Sequence, residues 1–272
     1  MPSKRPQPTK RVVIISDMHC GHRAGLTPPN YQYKNAAGHV WQKFTKVQAE
    51  CWNLYLSEIK LLQPVHLLIV NADCIDGRGE RSGGCELITG DRSEQSDMAA
   101  ECIEQWKAKH VCMTRGTPYH TGNEEDWEDQ IAKAVGAKIG DHEWVEVNGF
   151  TFDVKHHVGS SSVPHGRGTA LARDVLWNQL WAQAGEQPRG DMVVRSHVHY
   201  WEGQYRMLGG KRVEAVTTPA LQAMGTKYGA RRCSGAVHWG VLGFDIGPKG
   251  KIVWRHEGIH SVVATRAKAY RV

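Results

Sequence analysis

The chain has 272 residues, 40% of them hydrophobic and 23% charged, with a mean hydropathy of −0.48. These values fit a globular protein with ample chain for a core and exclude collagen-like and low-hydropathy disordered classes. A formal charge of +6, from 34 Lys and Arg against 28 Asp and Glu, favours anionic partners such as phosphorylated substrates or nucleic acid.

No apolar run approaches the roughly 20 residues that a bilayer-crossing helix needs, so no membrane partner is expected. The apolar stretch Val12 to Ile15 is too short for the hydrophobic region of a secretory signal. Seven cysteines without a C-x-x-C pair suggest neither a zinc knuckle nor a full disulfide framework, and a reducing cytoplasm is the simplest location.

Residues 1–10 read as a disordered basic tail, and residues 11–272 as one domain. The β-branched run Val12, Val13, Ile14, Ile15 predicts a buried strand over 11–16. Apolar residues at helical spacing (Phe44, Val47, Cys51, Leu54, Tyr55, Ile59) predict a helix over 41–62 that stops before Pro64. A second strand over 66–70 runs into Asn71-Ala72-Asp73, and a glycine-rich loop leads to a helix over 93–109 and a third strand over 111–114. A further helix opens at Asn123 or Glu124 and reaches Val135.

Beyond this point the period changes from 3.6 to 2. Segments 144–147 and 150–155 flank Asn148-Gly149, a strong hairpin signal. A helix over 170–184 interrupts a β-rich half with strands at 192–195, 200–207, 212–217, 241–246 and 251–257. The expected fold class is α/β: a two-sheet β-sandwich flanked by helices. Trp106, Trp127, Trp177 and Trp181 fall at helical core spacing and read as packing residues, whereas Trp201 could wall a cleft. The basic segment 225–234, with Lys227, Tyr228, Arg231 and Arg232, reads either as a phosphate contact or as a solvated loop.

The chemistry collects at predicted strand ends. Asp17 and His19 follow the first strand at spacing i, i+2; Asp73 and Asp76 follow the second; Arg115-Gly116-Thr117-Pro118-Tyr119-His120 follows the third. Later strands end in His156-His157 and in Ser196-His197-Val198-His199. Parallel strands deliver their carboxyl ends to one edge of an α/β sheet, where ligands bind, so groups distant in sequence become neighbours. One strand-end histidine is ordinarily a solvated loop residue, but the repetition of Asp and His at every such end points to a shared site. Carboxylate and imidazole without thiolate suit two divalent ions such as Mn, Fe or Zn.

From residues 12 to 201 the order of these motifs resembles the calcineurin-like metallophosphoesterases: D-x-H, G-D-x-x-D, G-N-H-D/E, a lone His, then G-H-x-H. Ala72 and Ser196 stand where that pattern has glycine. The resemblance implies that Asp17, His19 and His199 hold one metal, that Asp73 bridges, and that His156 and His197 hold the other, with His157 the alternative to His156. The third motif departs from the pattern, with Thr117 in place of Asn and Pro118 in place of the catalytic His. Thr117 is therefore assigned as a metal ligand and His120 as the catalytic group, with direct metal ligation by His120 the alternative. The implied activity is hydrolysis of phosphate esters, a phosphodiesterase or nuclease before a phosphomonoesterase, acting on DNA, a nucleotide or a smaller ester. The implied cofactors are two divalent cations, manganese first, with Fe, Zn or Mg as alternatives. Against this stand a metal-binding scaffold of the same family without turnover and, more distantly, a mononuclear iron oxygenase.

Overall fold

The computed structural model describes residues 8–31, 33–34, 40–42, 45–122, 125–224, 235, 237–264, 266 and 268–271. Strand β1 (Lys10–Ile15) is followed by β2 (Tyr33–Lys34), β3 (Val40–Gln42), α1 (Lys46–Leu62), β4 (Leu67–Val70), α2 (Arg92–Glu104) and β5 (His110–Thr114). Then come α3 (Pro118–Thr121), α4 (Trp127–Ala134), β6 (Lys138–Gly140), β7 (Glu143–Val147), β8 (Phe150–Val154) and α5 (Arg167–Ala184). The rest is strand: β9 (Met192–Arg195), β10 (Glu202–Leu208), β11 (Lys211–Thr217), β12 (Trp239–Ile246) and β13 (Ile252–His260).

A six-stranded sheet in the order β13-β12-β1-β4-β5-β6 packs face to face on a five-stranded sheet in the order β10-β11-β9-β8-β7. Strands β1, β4, β5 and β6 are parallel, as are β8, β9 and β11. The apolar run of β1 serves two layers at once. Val12 and Ile14 enter the core between the sheets, while Val13 and Ile15 face the helices. β4 repeats this with Leu67 and Ile69 inward and Leu68 facing the helices. Helices α1, α2 and α4 cover the first sheet, and α5 covers the second through Leu171 and Val175, giving the expected α/β/β/α layering.

Local chemistry sets the element ends. Thr45 and Gln48 form a reciprocal capping box at the start of α1, which fixes the helix at Lys46 rather than at residue 41; residues 40–42 pair instead with β2. Asp91 and Asp126 cap α2 and α4 with side-chain oxygens. The α2 helix stops at Glu104, short of the expected residue 109, and Lys107 turns the chain at φ 46°. Asn148 and Gly149, at φ 53° and 87°, make the hairpin between β7 and β8. Strand begins already at Lys10, so the expected tail shortens; its residues 1–7, the helix start at 123–124 and the basic segment 225–234 lie outside the described residues.

Two of the tryptophans expected in the core are not there. Trp106 is fully buried and donates from Nε1 to Tyr55 at 2.7 Å, but Trp177 and Trp181 are 51% and 45% exposed. The face of α5 that meets the sheet is Leu171, Val175 and Asn178, and residues 177 and 181 point off that stripe. Trp201 donates its backbone N–H to His238 and leans on the core between the sheets.

Phe152 is fully buried between the sheets, its ring 5.0 Å from that of Phe150 and 6.0 Å from that of Phe244. Phe152→Ala is expected to lower unfolding free energy by about 3–5 kcal/mol in chemical denaturation, and a loss below about 1 kcal/mol would contradict this packing.

Candidate metal centre

All the motif residues lie beyond the carboxyl ends of strands, and the two sheets are stitched together there. Asn71 donates to Ser196 Oγ at 2.6 Å and to the Lys155 carbonyl at 3.2 Å, while Thr114 donates to Asn71 Oδ1 at 2.6 Å. Ser16 and Ser196 are each hydrogen-bonded to the Thr218 hydroxyl, at 2.6 and 2.7 Å. Ser196, where the family pattern has glycine, is thus part of a hydroxyl network that joins β1, β9 and the segment after β11.

The backbone at this edge is strained in a patterned way. Asp17, His19, Ala72, Asp73, His197 and His199 all have left-handed φ, between 45° and 72°. Non-glycine residues adopt this region at a cost of order 1–3 kcal/mol each and retain it where the surroundings force it, mostly at functional sites. Ala72, at φ 65°, accepts the conformation that a glycine would take more cheaply.

The side chains close into adjoining clusters. Asp17, His19 and His199 form one, Asp73, His156 and His197 a second, and Asp73 is shared with a third that contains His19 and His120. Asp17 Oδ1 lies 3.2 Å from His199 Nε2 and 3.9 Å from both His19 Nε2 and His156 Nε2. His19 Nε2 and His199 Nε2 face one another at 3.1 Å, and Asp73 Oδ2 lies 3.0 Å from His156 Nε2 and 4.0 Å from His197 Nδ1. His156 rather than His157 enters the centre: it is 2% exposed, whereas His157 sits outside, its ring 4.9 Å from that of His197.

Hydrogen bonds behind the centre choose the tautomers. His156 donates from Nδ1 to the Asn71 carbonyl at 2.8 Å, His120 from Nδ1 to the Asp76 carbonyl at 2.9 Å, and His19 from Nδ1 to Asp76 Oδ1 at 3.1 Å. His19 and His156 then present Nε2 to the carboxylates, the arrangement expected of a metal-ligating imidazole. Thr117 is directed at Asp73, with its N–H 2.8 Å from Oδ1 and its hydroxyl 3.2 and 3.3 Å from the two carboxylate oxygens. Pro118 starts the single turn α3, which returns His120 to a ring distance of 4.6 Å from His19. Arg115 turns away, pairing with Asp126, Asp129 and Asp141.

The charges are held in an unusual balance. Burial works to raise the Asp17 carboxyl, but His199 and His156 bring it down to about 2. Burial works against charge on His156 too, yet Asp73, aided by Asp17, pushes it up to about 10. Burial and the neighbouring His120 take His19 down to about 4 against the pull of Asp76. Asp17 Oδ1 and His156 Nε2 are buried with no well-aligned hydrogen bond, each having only the ion-pair contact to His199 or Asp73 given above. Buried polar atoms satisfied only by such contacts fit coordination to a cation, and the mixed oxygen and imidazole donors suit Mn, Fe or Zn. Asp76, Asn71, Ser16, Ser196 and Thr218 support the ligands. Of these, only the positions inside the motifs carried any signal in the sequence, and Thr218 carried none.

Because His156 holds a proton in the metal-free protein, a cation at that position must displace it. Its contribution to metal-free stability is complete below the ordinary histidine value near 6.5 and is lost as pH rises through about 10. Metal affinity should therefore rise with pH across the neutral range. Calorimetry of Mn2+ binding in buffers of different protonation enthalpy is expected to show release of about one proton or more, and no release would contradict the arrangement.

No protein-family model and no curated protein matches the chain. Among solved structures it is similar to a Vps29 complexed with zinc from Entamoeba histolytica, at 13% identity and TM-score 0.39, covering 87% of this chain and 86% of that one. It is also similar to the sulfate thiohydrolase SoxB of Thermus thermophilus, at 10% identity and TM-score 0.41, covering 96% and 58%. A third is purple acid phosphatase PPD1 from yellow lupin seeds, at 12% identity and TM-score 0.41, covering 89% and 50%. At these scores the likenesses add nothing to the reading of the site, which stands on its own geometry. The strand order and the layering make this an α/β/β/α fold of two packed sheets flanked by helices, with the Asp and His motifs gathered at one sheet edge.

Proposed function

We propose that the chain is a metal-dependent hydrolase of phosphate esters with a dinuclear centre. The observation that supports this most directly is the position of Asp73, whose carboxylate belongs both to the His156 and His197 cluster and to the cluster that includes His19. A carboxylate shared in this way is what a pair of neighbouring cations requires. Asp17, His19 and His199 would hold one cation, His156 and His197 the other, and Asp73 both, with the Thr117 hydroxyl beside the second. When bound, two divalent ions clamp phosphoryl oxygens and lower the pKa of water toward neutrality for in-line attack at phosphorus.

The remaining work falls to the protein. His120, held through Nδ1 on the Asp76 carbonyl with its ring 4.6 Å from that of His19, would act in its doubly protonated form, giving the Nε2 proton to the departing ester oxygen. The clusters around Asp17 and Asp73 keep their donors converged at low exposure, so the carboxylates meet a cation with little competing hydration. The net charge of +6 supports an anionic substrate, of which we favour a phosphodiester in a nucleotide or nucleic acid. We assign the cytoplasm as its compartment, the simplest setting for an odd number of cysteines without a C-x-x-C pair. No described helix is long and apolar enough to cross a membrane.

The manganese-loaded protein should hydrolyse bis-p-nitrophenyl phosphate and single- or double-stranded DNA. Activity confined to p-nitrophenyl phosphate would remove the diesterase reading, and full metal occupancy with no hydrolysis above buffer would leave only a scaffold. His120→Ala should lower kcat by roughly 10²–10⁴-fold with both cations retained. An unchanged kcat would take His120 out of the reaction.

A further inference from the structure

Glu128 is a fully buried carboxylate on the first turn of α4 that the chemistry above does not use. It makes no ion pair among the described residues. Its oxygens are taken up by two backbone donors on different loops: Cys74 donates to Oε1 at 2.9 Å and Gly116 to Oε2 at 2.6 Å. Burying a carboxyl group whose partners are these two N–H groups and the Cys74 thiol is expensive, and an apolar side chain would fill a helix-to-sheet contact at less cost. The two donors are therefore informative. Cys74 directly follows Asp73, and Gly116 directly precedes Thr117, whose N–H and hydroxyl bind the Asp73 carboxylate.

These contacts close a ring that runs from Asp73 through Cys74, Glu128, Gly116 and Thr117 back to Asp73. The ring spans the ends of β4 and β5 and α4, and it leaves Asp73 little freedom. Gly116 is required in it, since a Cβ there would sit 2.2 Å from Asp73 Oδ1. With Oδ1 tied to the Thr117 N–H, Oδ2 is left facing His156 and His197. We propose that Glu128 is a positioning residue for the bridging carboxylate, fixing the two loops at the separation that aims Asp73 between the cation sites. This rests on the dinuclear reading of the centre.

Glu128→Gln keeps the length of the side chain but offers one acceptor and an N–H₂ group to two N–H donors, so one arm of the ring must open. Titration calorimetry with Mn2+ should show two sites in the unaltered protein. In Glu128→Gln the affinity of the cation held by His156 and His197 should fall by roughly 10–100-fold. The cation of Asp17, His19 and His199 should lose less affinity than the other, since of its ligands Asp73 alone belongs to the ring. Ile131→Val, a buried change on the same helix, serves as the control that lowers stability without touching the ring. A Glu128→Gln protein that binds both cations as before, an equal loss in Ile131→Val, or a Glu128→Gln chain without a cooperative melt would each overturn the assignment. Fewer than two sites in the unaltered protein would instead remove the dinuclear reading itself.

Discussion

Asp17 and Asp73 carry their carboxylates at 0% and 1% exposure, a placement that costs several kcal/mol per ion unless opposite charge is supplied. In this chain the supply comes from imidazoles, with His199 and His156 drawn up to the carboxylates at 3.2 and 3.0 Å. The same imidazoles are what a cation would coordinate. The protein thus holds in its metal-free form the charge balance that a pair of cations would take over, and protons are the currency of the exchange. Strand ends, left-handed backbone and hydroxyl network can all be understood as means of keeping these charges together.

The strain at the edge follows from that need. A strand leaving a sheet carries its side chains alternately up and down, so Asp17 and His19 would ordinarily share a face but diverge from the partner sheet. Left-handed turns at both residues, and again at Asp73, His197 and His199, fold the loops inward over the gap between the sheets. Such turns persist where neighbours over-determine them. Here the neighbours are Asn71, Ser16, Ser196 and Thr218, which bind across the two sheets, and Gly25, where a Cβ would fall 2.0 Å from the His19 carbonyl. The glycines of the family pattern are absent at residues 72 and 196. At 196 the serine is used for its hydroxyl, whereas at 72 the alanine simply bears the conformation.

Helix α5 shows the limits of reading burial from residue type. Its tryptophans and Leu176 and Leu180 are exposed, while Asn178 is buried, where it donates to Asp153 Oδ2 at 2.6 Å. Asp153 in turn accepts from His142 and Arg195. A polar network therefore lies under this helix, and a 3.6-residue period in hydrophobicity could not reveal it, because the apolar stripe and the sheet-facing stripe of α5 are different stripes.

Much of the fold was written in the residues themselves. The buried runs of β1 and β4, the Asn148-Gly149 hairpin and the shift of period near residue 144 are local signals, each set by backbone preference and side-chain burial, and they suffice for two sheets with helices outside. The types and order of the strand-end residues likewise named Asp17, His19, Asp73, His156, His197 and His199 as candidates. Short elements such as β2, β3, β6 and α3 carried too few residues for a period to register. What the folded chain alone decided is where the side chains point: that His156 turns inward and His157 does not, that the turn at Pro118 returns His120 to the centre, and that Glu128 ties two loops. Those outcomes depend on contacts between residues that lie far apart along the chain, such as Glu128 with Cys74, and no local preference of either partner encodes them.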